Sequence, residues 1–332
     1  MSKSDDKDGG HYRGQSGIER VFDEQLSGDF GEVMVMKDAK NNRLKEIKQI
    51  KPEVAGKDIQ LTIDSRLQYI LYQELERAGR LQKAQWATGM IVDVSSGEVL
   101  AMSNWPSFNP NDLNSMTNEN QRNHALIDMF EPGSVMKPIT VATGLKSGQY
   151  NLNSKINTSP GSMNVQGHTI RDHGNLGVIS LRQLIQKSSN IGSAKIALSL
   201  PPSTMSETQK LFGFGKKTNL KLPGEVAGNV PTPNNNEIAR RATVSYGYGL
   251  NVTLAQLAQA YTVLGSGGIF RPLTVVRSSR DNAINSHSLN NVAVPFAKPD
   301  STQIIKNSDA LAVVDMMSSV TEAGGTARLA AI

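Results

Sequence analysis

The chain has 332 residues, 38% of them hydrophobic, and its 35 basic and 30 acidic side chains leave a formal charge of +5. This composition predicts a globular protein with one large domain and a smaller one, and the absence of a basic block argues against nucleic acid as a partner. The lack of cysteine excludes disulfides and thiolate metal sites, and the lack of an apolar run of roughly 20 residues predicts no membrane span within this sequence. The five histidines show no metal-ligand spacing, so we expect neither a metal nor a cofactor.

The N-terminal part of the chain predicts a small extended module behind a polar lead. Residues 1–16 are polar, charged and glycine-bearing, which is typical of a disordered lead. Residues 17–55 contain a short amphipathic helical pattern closed by Gly28 and a strand pattern over Glu32–Met36, with too few apolar positions for a separate core. We therefore expect the main domain to occupy residues 56–332.

The main domain opens with a strand pattern, a helix pattern and a hairpin. Residues 59–63 alternate as in a strand, and Asp64 is a suitable N-cap for a helix that runs to about Arg80. The predicted buried stripe of that helix comprises Leu67, Ile70, Leu71, Leu75 and Ala78. β-prone runs at 88–94 and 98–103, joined by Ser-Ser-Gly, then predict a hairpin. This order predicts an α+β fold whose sheet is completed by later strands.

The most informative stretch is Glu-Pro-Gly-Ser-Val-Met-Lys at 131–137. A helix that starts here places Ser134 and Lys137 on the same face, one turn apart. Serine is a poor nucleophile near neutral pH unless a base takes its proton, and a partly desolvated lysine of lowered pKa can do so. Ser-x-x-Lys is a loose pattern, since residues 4–7 match it too. The Pro-Gly turn before Ser134 and the apolar helical pattern after Pro138 favour an exposed nucleophile here.

A second polar group of residues follows a helix with a clear start signal. Residues 155–172 predict a polar hairpin region, and Ser180-Leu181-Arg182-Gln183 is a capping box that opens a helix. That helix leads to Lys-Ser-Ser-Asn, where Ser188 and Asn190 can present a hydroxyl and an amide to one cavity. Ser-x-Asn occurs elsewhere in the chain, so only the position between two predicted helices favours Ser188.

The remaining patterns predict a glycine loop and two more helices. Tyr-Gly-Tyr-Gly at 246–249 predicts a tight loop. A capping box at 253–256 starts a helix that ends at Gly265, and a last helix covers about Asp309–Val320.

Taken together, these pieces resemble the transpeptidase domain of penicillin-binding proteins, of the class B, division-specific type (penicillin-binding protein 3). The family's Ser-x-x-Lys motif matches Ser134 with Lys137, and its Ser-x-Asn motif matches Ser188 with Asn190. Three other stretches also look like that family, namely 17–26, 93–102 and 245–250. The resemblance implies an antiparallel sheet flanked by helices, as in serine β-lactamases, preceded by the remnant of a pedestal at 17–55.

The resemblance also implies a serine acyl-transferase that cross-links peptidoglycan in septal cell-wall synthesis. Ser134 would attack the D-Ala-D-Ala carbonyl of a stem peptide with Lys137 as its base. Ser188 would relay a proton to the leaving amine, and Asn190 would bind the substrate amide. β-Lactams would acylate Ser134 as substrate mimics. The implied partners are peptidoglycan stem peptides and division proteins, including a membrane glycosyltransferase, and the implied location is the periplasmic face of the bacterial inner membrane.

One departure from the family pattern concerns its third motif, Lys-Thr-Gly or Lys-Ser-Gly on a late strand. Lys146-Ser147-Gly148 follows the nucleophile helix, where Gly148 is better explained as a C-cap, and Lys217-Thr218-Asn219 lacks the glycine. We therefore expect the chain to stop just short of this motif, without the last strands and one oxyanion donor. We also expect the family's membrane anchor and the start of its pedestal to be absent. A chain of this kind should be poorly soluble and unreactive to penicillin by itself.

Three alternative functions stay open. An elongation-type transpeptidase shares the same motifs, although Lys187–Asn190 together with Tyr246–Gly249 favours the division type. A β-lactam-hydrolysing or sensing relative shares Ser-x-x-Lys, but the pedestal-like segment at 17–31 argues against a free β-lactamase. A non-catalytic division scaffold would explain a missing third motif.

Overall fold

The computed structural model describes residues 2–3, 12–277 and 300–331, and these residues form two compact units. The smaller unit comprises the residues up to 62 together with 220–223 and 275–277, and the larger unit comprises 63–219, 224–274 and 300–331. Of the predicted lead at 1–16, residues 1 and 4–11 lie outside the described residues.

The smaller unit contains paired strands and two short helices. Its elements are β1 (Ser2–Lys3), β2 (Tyr12–Arg13), α1 (Gly17–Val21), α2 (Asp23–Ser27), β3 (Glu32–Lys37) and β4 (Arg43–Lys51). The predicted N-terminal helix is broken at Phe22, whose backbone (φ −111°, ψ 18°) separates α1 from α2. Strand β3 is confirmed, and it pairs antiparallel with β4, a strand that the lysine-rich sequence did not suggest. The predicted strand at 59–63 is present in the described residues as an antiparallel bridge between Leu61 and Val276, flanked by backbone hydrogen bonds from Thr62 to Val275 and from Arg277 to Gln60.

The larger unit carries most of the helices. Its elements are α3 (Ser65–Gln82), β5 (Ala87–Val92), β6 (Val99–Trp105), α4 (His124–Ile127), α5 (Lys137–Lys146), β7 (Lys155–Asn157), β8 (Ser162–Val165), β9 (His168–Arg171), β10 (Val178–Ser180), α6 (Leu181–Gln186), α7 (Asn190–Ser199), α8 (Thr204–Leu211), α9 (Ile238–Val244), α10 (Leu254–Gly265), β11 (Ile269–Phe270), β12 (Thr302–Gln303) and α11 (Asn307–Ser318). Short 3₁₀ turns cover Leu113–Ser115, Gly133–Met136 and Arg328–Ala330.

Local signals predicted several of these boundaries correctly. Asp64 caps α3 by accepting hydrogen bonds from the backbone N–H groups of Arg66 and Leu67. Ser180 and Thr253 form the reciprocal capping boxes that start α6 and α10. The hairpin of β5 and β6 and the polar hairpin of β8 and β9 are both antiparallel, as predicted. Helices combined with paired strands give the α+β class.

The buried stripe predicted for α3 is partly wrong. Ile70 is 54% exposed and Ala78 is also exposed, while Gly79 is buried against the indole ring of Trp105. The helix instead turns Gln68 toward the hairpin, where its side-chain amide exchanges two hydrogen bonds, of 2.7 and 2.9 Å, with the backbone of Met102. Because a polar side chain provides part of this contact, an apolar pattern alone misjudged which face is buried.

Helix α5 lies at the centre of the larger unit. Nine of its ten residues, Lys137–Leu145, are buried. The core around it draws side chains from α6, α7, α8, α10 and α11, among them Leu181, Ile196, Met205, Leu264 and Val313. Pro138 lies in the first turn of α5, where its missing N–H has no intrahelical partner. Lys137, the residue that begins α5, is therefore buried in the core of the larger unit.

The strands of the larger unit that the structure describes form two-stranded sheets. Glu98, at the start of the second hairpin strand, also bridges to Thr274 in parallel. Strand β7 pairs with β10, and β11 pairs with β12. The β7–β10 pair leads directly into α6, which carries the chain toward Ser188.

Candidate active site

The turn before α5 presents Ser134 to solvent. Gly133, in the left-handed region (φ +62°), starts a 3₁₀ turn over Gly133–Met136, and α5 begins at Lys137. In a 3₁₀ turn, residues three apart eclipse one another, so Ser134 and Lys137 share a face. Ser134 is exposed, whereas only 2% of Lys137 is exposed. An exposed hydroxyl thus lies next to a buried amine.

Lys137 joins the two predicted motifs. Its Nζ donates hydrogen bonds to Ser134 Oγ at 3.0 Å, to Ser188 Oγ at 2.8 Å and to the Ser188 carbonyl oxygen at 2.6 Å. Burial lowers the pKa of the Lys137 ammonium from 10.5 to about 8, and the charge of Asp172 opposes this shift. A substantial neutral fraction near neutral pH makes this amine a suitable base for a serine hydroxyl.

Ser188 occupies the junction of two helices. Its φ of +55° is in the left-handed region, which costs a non-glycine residue roughly 1 kcal/mol or more. The preceding residue, Lys187, caps the C-terminus of α6, and the following residue, Ser189, caps the N-terminus of α7. This sharp turn directs both the carbonyl and the hydroxyl of Ser188 at Lys137.

Asn190 lies beside this cluster without a hydrogen bond to Lys137. As the first residue of α7, it donates from Nδ2 to the carbonyl oxygen of Arg171 at 2.9 Å. The structure therefore brings Ser134, Lys137 and Ser188 into one hydrogen-bonded set, and it places Asn190 at the edge of that set, fixed to the end of β9.

The sequence patterns missed Asp172, whose carboxylate binds the three residues that follow Ser188. Its carboxylate accepts hydrogen bonds from Ser189 Oγ at 2.6 Å, from the backbone N–H of Asn190 at 2.6 Å and from that of Ile191 at 3.1 Å. A carboxylate at a helix N-terminus stabilises the free N–H groups there. The sequence showed only an acidic residue at the end of a polar hairpin, which by itself signals no role at a site 17 residues later.

We expect Asp172→Asn to slow acylation of Ser134 roughly tenfold, because an amide cannot accept the same three hydrogen bonds and the Ser188 turn loosens. Removing the negative charge also removes the influence that raises the pKa of Lys137. The rise of the acylation rate with pH should therefore move to lower pH. A pH series of acylation rates checks both effects.

Asp112→Asn is the matched control for this variant. Asp112 is an exposed loop carboxylate that accepts a local hydrogen bond from the N–H of Asn114. A pH profile for Asp172→Asn that coincides with those of the control and the parent would contradict the role given to Asp172.

The glycine loop at 246–249 contacts the turn that carries Ser134. The N–H of Gly133 donates to the carbonyl oxygen of Gly247 at 3.0 Å, and the N–H of Gly249 donates to Glu131 Oε1 at 2.7 Å. A Cβ at Gly247 would lie only 2.0 Å from the carbonyl oxygen of Gly133, so the contact requires glycine. Tyr261 adds a hydrogen bond from its hydroxyl to the carbonyl oxygen of Val135 at 2.8 Å. Burial raises the pKa of that phenol to about 12.

The two stretches that imitate a third motif lie elsewhere. Gly148 follows the C-cap of α5 with a φ of +77°, as its interpretation as a capping glycine predicted. Thr218 donates hydrogen bonds from its N–H and its hydroxyl to the buried carboxyl of Glu225, so Lys217-Thr218-Asn219 is part of a separate loop.

Within the described ranges, no group of three or more His, Asp or Glu side chains is arranged to hold a metal ion. No helix in that part of the chain is both long and apolar enough to cross a membrane.

Comparisons with known proteins identify the family to which the chain is similar. Residues 87–332 match the family model of the penicillin-binding protein transpeptidase domain, and residues 1–61 match that of the penicillin-binding protein dimerisation domain. The peptidoglycan D,D-transpeptidase FtsI of Escherichia coli (strain K12) is 43% identical over 265 residues, which are 80% of this chain and 45% of that protein. The probable peptidoglycan D,D-transpeptidase PenA of Neisseria flavescens is 34% identical over 95% of this chain and 74% of that protein.

A solved structure extends the comparison to the fold. The transpeptidase domain of penicillin-binding protein 3 from Burkholderia pseudomallei, in its apo form, aligns with a TM-score of 0.71 and 33% identity, over 82% of this chain and 73% of that one. The chain spans about half the length of its E. coli relative. With a family model matched over most of its length and Ser134, Lys137 and Ser188 assembled in one cluster, the chain belongs to the penicillin-binding protein transpeptidase family.

Proposed function

We propose that this protein is a serine D,D-transpeptidase that cross-links peptidoglycan stem peptides through an acyl-enzyme on Ser134. The observation that carries the proposal is the position of Lys137, whose buried amine contacts the hydroxyls of both Ser134 and Ser188. The named activities of the E. coli and N. flavescens relatives support the same reaction class. Residues 56–332 form the catalytic domain in this proposal, and residues 17–55 belong to its pedestal.

The first half of the reaction forms an ester. Neutral Lys137 accepts the proton of Ser134 as Oγ bonds to the carbonyl carbon of the penultimate D-alanine. The helix N-terminus favours the negative charge that develops at the carbonyl oxygen. The C–N bond then breaks, and the leaving D-alanine amine takes a proton from the Lys137 ammonium through the hydroxyl of Ser188. Asn190 binds the backbone amide of the substrate.

The second half of the reaction regenerates the enzyme. An amine of a neighbouring stem peptide attacks the ester carbonyl, and Lys137 accepts the proton that this amine loses. The C–O bond to Ser134 breaks, Oγ regains its proton, and a new peptide bond joins the two stem peptides. No cofactor takes part in either half. A β-lactam reacts by the same first half, but the ring that opens stays attached to Ser134.

The relatives also support a cellular role. Because FtsI of E. coli is 43% identical, we assign the protein to septal cell-wall synthesis at the periplasmic face of the inner membrane. Its partners there would be stem peptides and division proteins, including a membrane glycosyltransferase.

The decisive experiment is to incubate a version of the protein that includes the family's Lys-Thr-Gly strand with a fluorescent penicillin, and to locate the adduct by mass spectrometry of proteolytic peptides. We expect a stable adduct on the peptide that contains Ser134 and none in Ser134→Ala. An adduct on Ser188 or Ser4 would contradict the assignment. Fast loss of the adduct would indicate a β-lactam-hydrolysing enzyme, and the absence of any adduct would indicate a scaffold.

A further inference from the structure

A pocket on the larger unit lies apart from the three clustered side chains. It has a volume of about 370 Å³ and lies between the end of α8, the loop after it, α10 and the β11–β12 pair. None of its lining residues belongs to the Ser134, Lys137 and Ser188 cluster. Pockets that hold small ligands are typically about 300–1,000 Å³, so this one is large enough for a short peptide segment or a molecule of similar size.

The rim of this pocket is positively charged. Lys210, Lys216 and Lys217 line it, and no aspartate or glutamate of the described residues does. Lys210 Nζ donates to Thr232 Oγ1 at 3.1 Å, and none of the three lysines forms an ion pair within the part of the chain that the structure describes. The carboxyl of Glu225 accepts hydrogen bonds from Thr218 and interacts electrostatically with Lys217, but burial raises its pKa and so favours its neutral form. The rim therefore favours an anionic ligand.

The interior of the pocket holds a buried polar group. Gln259 is only 2% exposed, and it is one of the residues that line the pocket. Gly213 (φ +99°) leaves room beside this amide, since a Cβ there would lie 2.8 Å from Gln259 Oε1. The side-chain amide of Gln259 offers one donor and one acceptor side to a ligand. A peptide group presents the matching carbonyl and N–H.

The remaining walls are apolar. They are formed by Leu211, Phe270, Pro272 and Ile304. A bare inorganic anion would contact the lysines and leave this surface unused. We infer that the pocket binds a short acidic peptide, with its carboxylates at Lys210, Lys216 and Lys217, a peptide group on Gln259 and an apolar side chain against the Phe270 wall.

The test uses methyl NMR of the protein titrated with acetyl-Glu-Leu-Glu-amide, and the methyl groups of Leu211 and Ile304 report on the pocket. We expect these signals to shift in a saturable way that weakens with added salt, because salt screens exposed charges. The double variant Lys216→Gln/Lys217→Gln should bind roughly tenfold more weakly, as expected for the loss of two exposed charge pairs.

Matched controls separate this site from general attraction to a basic protein. The double variant Lys146→Gln/Lys155→Gln removes two exposed lysines of the same unit and should bind as the parent does. Acetyl-Gln-Leu-Gln-amide should shift the reporter methyls weakly or not at all. Equal binding of both peptides, equal loss in both double variants, or no shift at millimolar peptide would overturn the inference. Inorganic phosphate that binds as tightly as the acidic peptide would also overturn it, because the Gln259 amide and the apolar wall would then contribute nothing to peptide binding.

Discussion

Lys137→Met is expected to slow the acylation of Ser134 by a β-lactam by about 10²- to 10⁴-fold, the usual contribution of a positioned general base. Methionine has a similar length and fills the buried space, but it cannot accept the proton of Ser134. The measurement is the second-order rate at which a fluorescent penicillin labels a version that includes the Lys-Thr-Gly strand, with a thermal melt of the same sample to show that the fold is retained.

The pH dependence of this reaction supplies an independent check. The pKa of Lys137 is lowered to about 8, and the neutral amine is the active form. The acylation rate of the parent protein should therefore rise as pH increases through about 8, while the residual rate of Lys137→Met should lack that rise. Lys146→Met, at the exposed end of the same helix, is the control and should keep the parental rate and profile. If Lys137→Met kept the parental acylation rate, Lys137 would have only a structural role.

Gly247→Ala is expected to lower the acylation rate by roughly 10²-fold, the effect of moving a reacting group by about 1 Å. The added Cβ would lie 2.0 to 2.5 Å from three backbone atoms of Gly133, next to the nucleophile. Backbone atoms cannot rotate away as a flexible side chain can, so the turn that carries Ser134 must shift. Labelling rates and melting temperature are measured on the same preparations.

Gly148→Ala distinguishes the effect of the contact between Gly247 and Gly133 from the effect of backbone strain. Gly148 also has a positive φ, of +77°, but a Cβ there would meet no atom within 4 Å. Both variants therefore force alanine into a left-handed conformation, and only Gly247→Ala also pushes against the nucleophile turn. Similar labelling rates in the two variants would show that the close approach of Gly247 to Gly133 is not needed for acylation.

Features set by neighbours in sequence could be predicted from the sequence. The capping boxes at Ser180 and Thr253 form as predicted, since their partners are three residues away. The spacing of Ser134 and Lys137 likewise determined that their side chains share a face, and the 3.0 Å contact follows from it. For these features the backbone conformation alone brings the groups together, so the pattern was sufficient.

Other features depended on contacts between distant parts of the chain. Ser188 reaches Lys137 across 51 residues of sequence, and Asp172 supports the turn that carries Ser188 from yet another element. The exposure of Ile70 and the pairing of Leu61 with Val276 likewise depended on contacts with segments distant in sequence. The sequence by itself determined a serine with a lysine beside it. Only the packing around α5 decided that this lysine is buried. That burial lowers the pKa of its ammonium group, which is what lets the amine act as a base.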